Sequence, residues 1–163
     1  MRRRLARQIA VASLYQTEMN EVSIEVAVDV VMEELHGENE WEEELQGLTR
    51  TEQFARELAY QVAERKPMLD DMLQQHLTGW QVDRLSKIDL QVLRLACYEM
   101  IFREDIPAKA AINEAIEVAK YFGFEDSGKF VNGVLGKLIL SLPSHVESKA
   151  EPQVEQNIEG NED

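Results

Sequence analysis

Apolar residues recur along this chain at spacings of three and four positions. One segment shows the pattern in full, because Ile112, Ala115, Ile116, Ala119 and Phe122 occupy positions i, i+3, i+4, i+7 and i+10. This spacing places the apolar side chains on one face of an α-helix. No segment shows the period of two that is typical of a half-buried strand. The pattern therefore predicts an all-α fold of about seven helices.

The first two predicted helices lie in a stretch without any Gly or Pro, between Met1 and His36. The first covers about Arg3–Met19 and is apolar around most of its circumference, as in a helix that packs on several sides. The second begins after Ser23, a favourable N-cap, and runs to His36.

The acidic residues 37–50 contain Gly37 and Gly47 and are predicted to form a loop, with a turn of helix around Trp41 as an option. Capping residues and prolines then divide the apolar pattern into five more segments. Their predicted starts are Thr51, Pro67, Asp83, Pro107 and Ser127. Pro143 ends the last helix.

Length and composition fit one helical domain over residues 1–142. The chain has 163 residues with only 8 Gly and 4 Pro, too few turn residues for an all-β sandwich or barrel. No apolar run approaches the ~18 residues that would indicate a membrane-spanning helix. Residues 143–163 contain six acids, one Lys and no aromatic residue. Such a composition buries too little apolar surface to order a chain, so we expect a disordered acidic tail.

The charges are distributed very unevenly, although the formal net charge is −14. Residues 1–17 carry four Arg and no acid, whereas residues 18–44 carry eleven acids and no Lys or Arg. This asymmetry predicts a local basic patch on an acidic body. Arg7 and Gln8 interrupt the apolar stretch that a signal peptide needs. A mitochondrial transit peptide is the other alternative, but the helical pattern continues through Tyr15, so we interpret the segment as mature structure.

No catalytic or metal-binding constellation is evident in the sequence. The string from Gly123 to Lys129 fits G-x-x-x-x-G-K, but a predicted helix precedes it and Phe130 stands where a P-loop needs Ser or Thr. The three His residues are scattered, and Cys97 lies in an apolar helical run typical of a buried, inert thiol. We therefore expect a protein that is not an enzyme and that needs no metal or cofactor.

Two clusters have the chemistry of a nucleic-acid site. Arg4 and Arg7 lie one turn apart with Tyr15 near the same azimuth, and guanidinium groups beside an aromatic ring suit phosphates and a stacked base. Lys129 and Phe130 begin the last predicted helix, where anions are favoured. Tyr15 could equally be a core residue and the arginines could simply solubilise the terminus, so the pattern alone leaves both interpretations open.

Several segments resemble the NusB transcription antitermination family. The strings that carry the resemblance are DLQVLRLACYE at 89–99, Ile106-Pro107, AINEAIEVAK at 111–120 and KFVNGVL at 129–135. The basic opening at 2–7, followed by Ala12-Ser-Leu-Tyr15-Gln, is similar to the start of the family. The resemblance spans residues 1–140, and residues 20–80 match only in helical pattern.

The resemblance implies two packed helical subdomains, about 1–80 and 81–142. It also implies a cytoplasmic bacterial protein that binds single-stranded boxA RNA in nascent ribosomal RNA transcripts. The ribosomal protein NusE would bind with it, and the pair would join an antitermination complex on RNA polymerase. Matched to the family's motifs, the implied RNA contacts are Arg3, Arg4, Arg7, Tyr15, Asp126, Lys129 and Phe130. The implied NusE contacts are Asp89 and Tyr15.

Some features leave alternatives open. Leu5 interrupts the basic run, and Gly128 replaces a larger residue found in some relatives. A similar domain begins certain ribosomal RNA methyltransferases, although this chain carries no catalytic domain beyond it. A purely protein-binding helical adaptor is the alternative from another functional class. The chain could be a monomer, or a homodimer that hides its RNA face.

Overall fold

A computed structural model describes residues 2–38, 42–79, 81–123 and 125–143. These residues form seven α-helices and one short 3-10 turn at Val82–Arg84, with no strand among them. The predicted all-α fold is thus confirmed. The predicted tail lies outside the described residues, apart from Pro143. In chain order the helices are α1 (Arg3–Asn20), α2 (Ile24–Glu38), α3 (Glu42–Glu64), α4 (Lys66–Gln74), α5 (Lys87–Phe102), α6 (Ala108–Phe122) and α7 (Glu125–Ser141).

Two serines begin helices by accepting hydrogen bonds from unpaired backbone amides. The Ser23 Oγ accepts from the amide of Val26 at 3.2 Å, which confirms its predicted role before α2. Ser86 does the same for Asp89 at the start of α5. Pro67 lies in the first turn of α4, as predicted, where its missing N–H has no intrahelical acceptor.

Other predicted boundaries were wrong. Residues 42–50 are not a loop but the first turns of α3, and Trp41 lies outside the described residues. Thr51 consequently caps nothing; it is fully buried inside α3, where its Oγ1 accepts a hydrogen bond from the Arg2 amide at 3.1 Å.

The starts of the last three helices also differ from prediction. Asp83 lies in the 3-10 turn, so α5 begins four residues later than expected. Pro107 is the N-cap of α6 rather than its first residue. Ser127 lies inside the first turn of α7. Gly128 and Lys129 are therefore helical and follow helix α6, which confirms that the string from Gly123 is not a P-loop.

Helix α5 forms the centre of the molecule. Its residues 90–100 are all buried, and it packs against α1, α3 and α4 on one side and against α6 and α7 on the other. These two groups of helices share one continuous apolar core. The subdomain limits near residue 80 stay a prediction. Cys97 is fully buried, as expected, and burial raises the pKa of its thiol to about 12, with a further contribution from Asp70.

Two buried ionic contacts join α1 to α5. Arg7 of α1 makes a bidentate contact with Glu99 at 2.8 and 3.0 Å, and both side chains are almost completely inaccessible. Eleven residues further along α1, Glu18 contacts Arg94 of α5, which also holds Asp70 of α4 at 2.6 and 2.7 Å. These contacts satisfy charges that would otherwise be costly to bury.

Glu18 should make the stability of the fold sensitive to acid. Burial alone would raise the pKa of Glu18, but hydrogen bonds from Arg94 and Lys66 outweigh it and lower the pKa to about 2 from an ordinary value of 4.5. Because the pKa is lower in the folded chain, the stabilisation is complete above about pH 4.5 and is lost as the pH falls towards 2.

We expect Glu18→Gln to lower the free energy of unfolding at neutral pH, with a difference from wild type that shrinks as the pH falls below about 4.5. Denaturant titrations at several pH values would measure this. Glu64→Gln, which removes an exposed carboxylate outside the network, is the matched control. A difference in the free energy of unfolding between wild type and Glu18→Gln that stays constant down to about pH 2 would contradict the lowered pKa of Glu18.

Candidate nucleic-acid interface

The three arginines predicted to contact RNA have different environments. Arg7 is buried, with 5% of its surface exposed, and its guanidinium is occupied by Glu99. The Arg7 guanidinium is therefore not free for a phosphate in this structure, which argues against the RNA contact predicted for it. Arg3 and Arg4, one turn earlier on α1, are exposed.

Arg3 and Arg4 point towards different neighbours. The Arg3 guanidinium lies 5.3 Å from the centre of the Phe54 ring and 3.6 Å from the carboxylate of Asp105. The Arg4 guanidinium makes two hydrogen bonds of 3.0 Å with Glu114 of α6. Their side chains nevertheless remain 45% and 55% exposed, so both can still meet a ligand.

Glu114 is the counter-charge of the arginine cluster. It holds Arg4 on one side and lies 3.7 Å from Arg7 on the other. The hydrogen bond from Arg4 lowers the pKa of Glu114 in spite of partial burial. Glu114 therefore remains ionised near neutral pH and reduces the positive potential of Arg4.

Lys129 belongs to α7 and lies beside α6 at Lys120, which follows Glu114 along α6. It shares a concavity of about 640 Å³ with Lys120, Asn132 and Ile116. Gly128 favours this close packing, because a Cβ at that position would lie 3.3 Å from two carbons of the Lys120 side chain and would require that side chain to shift slightly. Helix α6 thus has basic side chains at two places. Arg4 contacts it at Glu114, and Lys129 lies beside it at Lys120, about 9 Å further along the helix axis.

Phe130, the residue after Lys129, lines a second concavity. It is half-buried and lines a cavity of about 380 Å³ with Asp89, Asp126 and Ser127. Burial raises the pKa of Asp89, and the Ser127 hydroxyl opposes the shift. The Asp89 Oδ1 is buried and has no hydrogen-bond partner among the described residues. The structure therefore brings Asp89 of α5 close to Asp126 and Phe130 of α7, which are distant from it in the sequence.

Tyr15 is half-buried on α1. It lies eleven residues after Arg4, which places it on the same side of the helix about 16 Å further along. Helix geometry thus supports a common face for Arg4 and Tyr15, whereas it separates Tyr15 from Arg7, which turns inward.

The described part of the chain contains neither a cluster of metal-ligating residues nor a membrane-spanning helix. Its His, Cys, Asp and Glu residues form no group of three or more that could hold a metal ion. Its helices are also too short or too polar to cross a bilayer.

Comparison with known proteins places this geometry in a family. Residues 4–139 match the model of the NusB family. The chain belongs to the NusB family. A relative, the transcription antitermination protein NusB of Bacillus pumilus, is 38% identical over 138 residues, which are 85% of this chain and 95% of that protein.

Solved NusB structures share the fold. NusB of T. maritima is 33% identical, with a TM-score of 0.75 over 91% of this chain and 98% of that one. A second match comes from a crystal structure of NusB and NusE in complex with double-stranded RNA, at 24% identity and a TM-score of 0.72. It covers 86% of this chain and 97% of that chain, and at this identity it bears on the fold alone.

Sequence reasoning missed three residues of this NusB-family site. Glu114 and Lys120 belong to the α6 stretch on which the family resemblance rests, but only the fold shows that they face Arg4 and Lys129. Asn132 lies one turn after Lys129, and that helical spacing could have suggested it. The remaining predicted contacts of Arg3, Arg4, Tyr15, Asp126, Lys129 and Phe130 with RNA, and those of Asp89 and Tyr15 with NusE, stay predictions.

The different surroundings of Arg7 and Arg4 predict different phenotypes. Arg7→Ala leaves Glu99 charged and buried without its partner, and should lower the free energy of unfolding by about 3 kcal/mol or more. Arg4→Ala breaks an exposed pair that water and salt screen, and should lower the free energy of unfolding far less than Arg7→Ala. Urea denaturation of the two variants measures the difference. Equal stabilities would contradict the role of Arg7 in the core.

Proposed function

We propose that this chain is a transcription antitermination factor that binds single-stranded boxA RNA in nascent ribosomal RNA transcripts. It acts without catalysis in the cytoplasm, where it binds NusE and joins the antitermination complex on RNA polymerase. Membership of the NusB family supports the proposal, since the matched Bacillus relative is named for this activity. The observation that carries it is the alignment of Arg4, Lys120 and Lys129 along α6 in a chain of net charge −14.

The exposed cations provide attraction without sequence preference. Arg3, Arg4, Lys120 and Lys129 would contact phosphates, which are the same in every RNA. If about four phosphates are neutralised, the logarithm of the affinity should fall with the logarithm of the salt concentration at a slope of about −3. Arg7 positions α1 through Glu99 and does not contact the RNA.

Aromatic stacking would supply the sequence selectivity. Phe130 is half-buried, so one part of the ring is fixed by the core and the rest is available to an unpaired base. Proteins recognise single-stranded RNA mainly by stacking bases on such rings and reading their edges. Tyr15, on the Arg4 side of α1, would provide a second stacking surface.

The cavity between Asp89 and Phe130 suits NusE. Its carboxylates, Asp89 and Asp126, would attract a basic or hydrogen-bond-donating segment, and the buried Asp89 Oδ1 still lacks a donor. Because Phe130 lines this cavity and also lies next to Lys129, RNA and NusE would meet at this residue. Joint binding would then be tighter than binding of either partner alone.

Substitutions at Lys129 and Phe130 separate attraction from selectivity. We expect Lys129→Gln to weaken binding of boxA and of a scrambled oligonucleotide equally, by about fivefold at 0.1 M salt. Phe130→Ala should instead reduce the preference for boxA about tenfold, because one base loses its stacking partner. Fluorescence anisotropy with and without NusE measures both effects.

The controls for this titration are a second aromatic residue and a second form of RNA. Phe102→Ala removes a partly exposed ring at the far end of α5 and should leave the preference for boxA unchanged. A duplex that contains boxA should bind more weakly than the single strand, because its bases are not free to stack. Binding of NusE with no binding of any RNA, alone or with NusE, would overturn the proposal in favour of a purely protein-binding adaptor.

Glu114 should limit the affinity for RNA. Glu114→Gln keeps a hydrogen-bond acceptor for Arg4 but removes the negative charge next to it. We expect RNA binding about two- to fivefold tighter in 0.1 M salt, with the advantage decreasing as salt screens the charges. Glu25→Gln removes an exposed carboxylate from α2 and serves as the control. Weaker binding by Glu114→Gln would show that the charge is needed to position Arg4.

A further inference from the structure

A third concavity shares Lys129, but no other lining residue, with the concavity at Lys120. Its volume is about 260 Å³, and it is formed by α7 and the segment that follows α4. Lys129 and Phe130 form the end that adjoins the proposed RNA site, and Lys137 lies further along α7. His76 and Thr78 line the opposite wall. We call this feature the α7 groove.

The α7 groove has no carboxylate among its lining residues, which is unusual in a chain with 31 acids and 17 Lys and Arg. The concavity between α4 and α5 shows the contrast, because four carboxylates line it: Glu18, Asp70, Asp71 and Asp83. Lys129 and Lys137 are both exposed, and neither forms an ion pair within the described part of the chain. Among those residues, no carboxylate neutralises either ammonium charge.

Lys137 is held in place by a neutral partner. Its Nζ donates a hydrogen bond of 3.2 Å to the Oγ1 of Thr78 across the groove. A hydroxyl orients the ammonium group but does not cancel its charge, unlike the carboxylate that holds Arg4. The remaining donors of the ammonium group are available to an anion.

Gly133 leaves an open surface on α7 between Lys129 and Lys137. Lys129, Gly133 and Lys137 are four residues apart on α7, so they lie on neighbouring turns and span about 12 Å. Gly133 is exposed, and a Cβ added there would meet no atom within 4 Å. A stacked strand that rises about 3.4 Å per nucleotide covers the span in three to four nucleotides.

We propose that the α7 groove binds the phosphates of the single-stranded RNA that occupies Lys129 and Phe130, with Lys137 as a further phosphate contact. The inference rests on the proposed RNA-binding function and extends it to a surface that includes Thr78 and Gly133. The strand passes over Gly133, where the missing side chain allows its backbone to approach the helix. A base stacked on Phe130 places its own phosphate next to Lys129 and the following phosphates towards Lys137.

Charge removal at Lys137 tests the groove. The probe is a labelled single-stranded boxA oligonucleotide with four uridines on each side, titrated by anisotropy over a salt series. Lys137→Gln should weaken binding about fivefold at 0.1 M salt and make the salt slope shallower by about 0.7, the value for one lost phosphate contact. Lys87→Gln removes the same charge from the acidic concavity and should change neither quantity.

Gly133 provides a second test that folding defects do not confound. Gly133→Gln and Gly133→Glu both improve helix propensity, so neither should lower the melting temperature. The two side chains are similar in size, and only Glu adds a negative charge to the surface between Lys129 and Lys137. We expect Gly133→Glu to bind the probe at least fivefold more weakly than Gly133→Gln.

The outcomes distinguish this inference from the proposed function. If the wild type binds the probe and both Lys137→Gln and Gly133→Glu match their controls, the α7 groove does not contact RNA and the Lys129–Phe130 site stands. If the wild type does not bind the probe, with or without NusE, the proposed function fails and this inference fails with it.

Discussion

The buried charges between α1 and α5 determine where the rest of the site lies. Arg7 and Glu18 on α1 meet Glu99 and Arg94 on α5. Both helices carry the Arg before the Glu, so these opposite-charge pairs form because the two helices run antiparallel. A reversed α1 would bury Arg7 against Arg94 and Glu18 against Glu99, and neither like-charged pair could be accommodated. Replacing buried ion pairs by apolar residues often leaves stability unchanged or higher, so these contacts are better explained as specifying one orientation of α1 than as a source of stability.

That orientation brings the exposed Arg4 to α6. The same helix that buries Arg7 presents Arg4 to Glu114 one turn earlier, while the Arg2 amide is fixed to Thr51 of α3. Lys129 reaches α6 from the other side, because Gly128 lets α7 approach the Lys120 side chain closely. The proposed RNA surface is therefore composed of side chains from three helices, and its geometry depends on core contacts that no ligand touches.

Local patterns predicted the helices well but could not decide which polar residues are buried. The apolar stripes of α6 and α7 and the cap at Ser23 indicate their elements because the information lies within a few residues. The prediction of a loop at residues 42–50 was wrong. Gly47 lowers helix propensity and neighbouring glutamates repel one another, but the remainder of α3 lets the helix extend over these residues. Arg4 and Arg7 look equivalent in the sequence. Only Glu99, 92 residues away, determines that one is a core residue and the other a surface residue.

A net charge of −14 does not oppose RNA binding at such a surface, because the relevant distance is short. At physiological salt the Debye length is about 8 Å, so exposed acids beyond that range are largely screened from a phosphate at Lys129. Glu114, whose carboxylate is 3.0 Å from the Arg4 guanidinium, thus affects Arg4 more strongly than acids beyond that range. Two concavities that share Lys129 have no carboxylate among their lining residues, whereas the cavity on the Asp89 side has two. The concavities lined by carboxylates would therefore disfavour nucleic acid, whereas this path would accept it, which gives an acidic protein a defined place for an RNA strand.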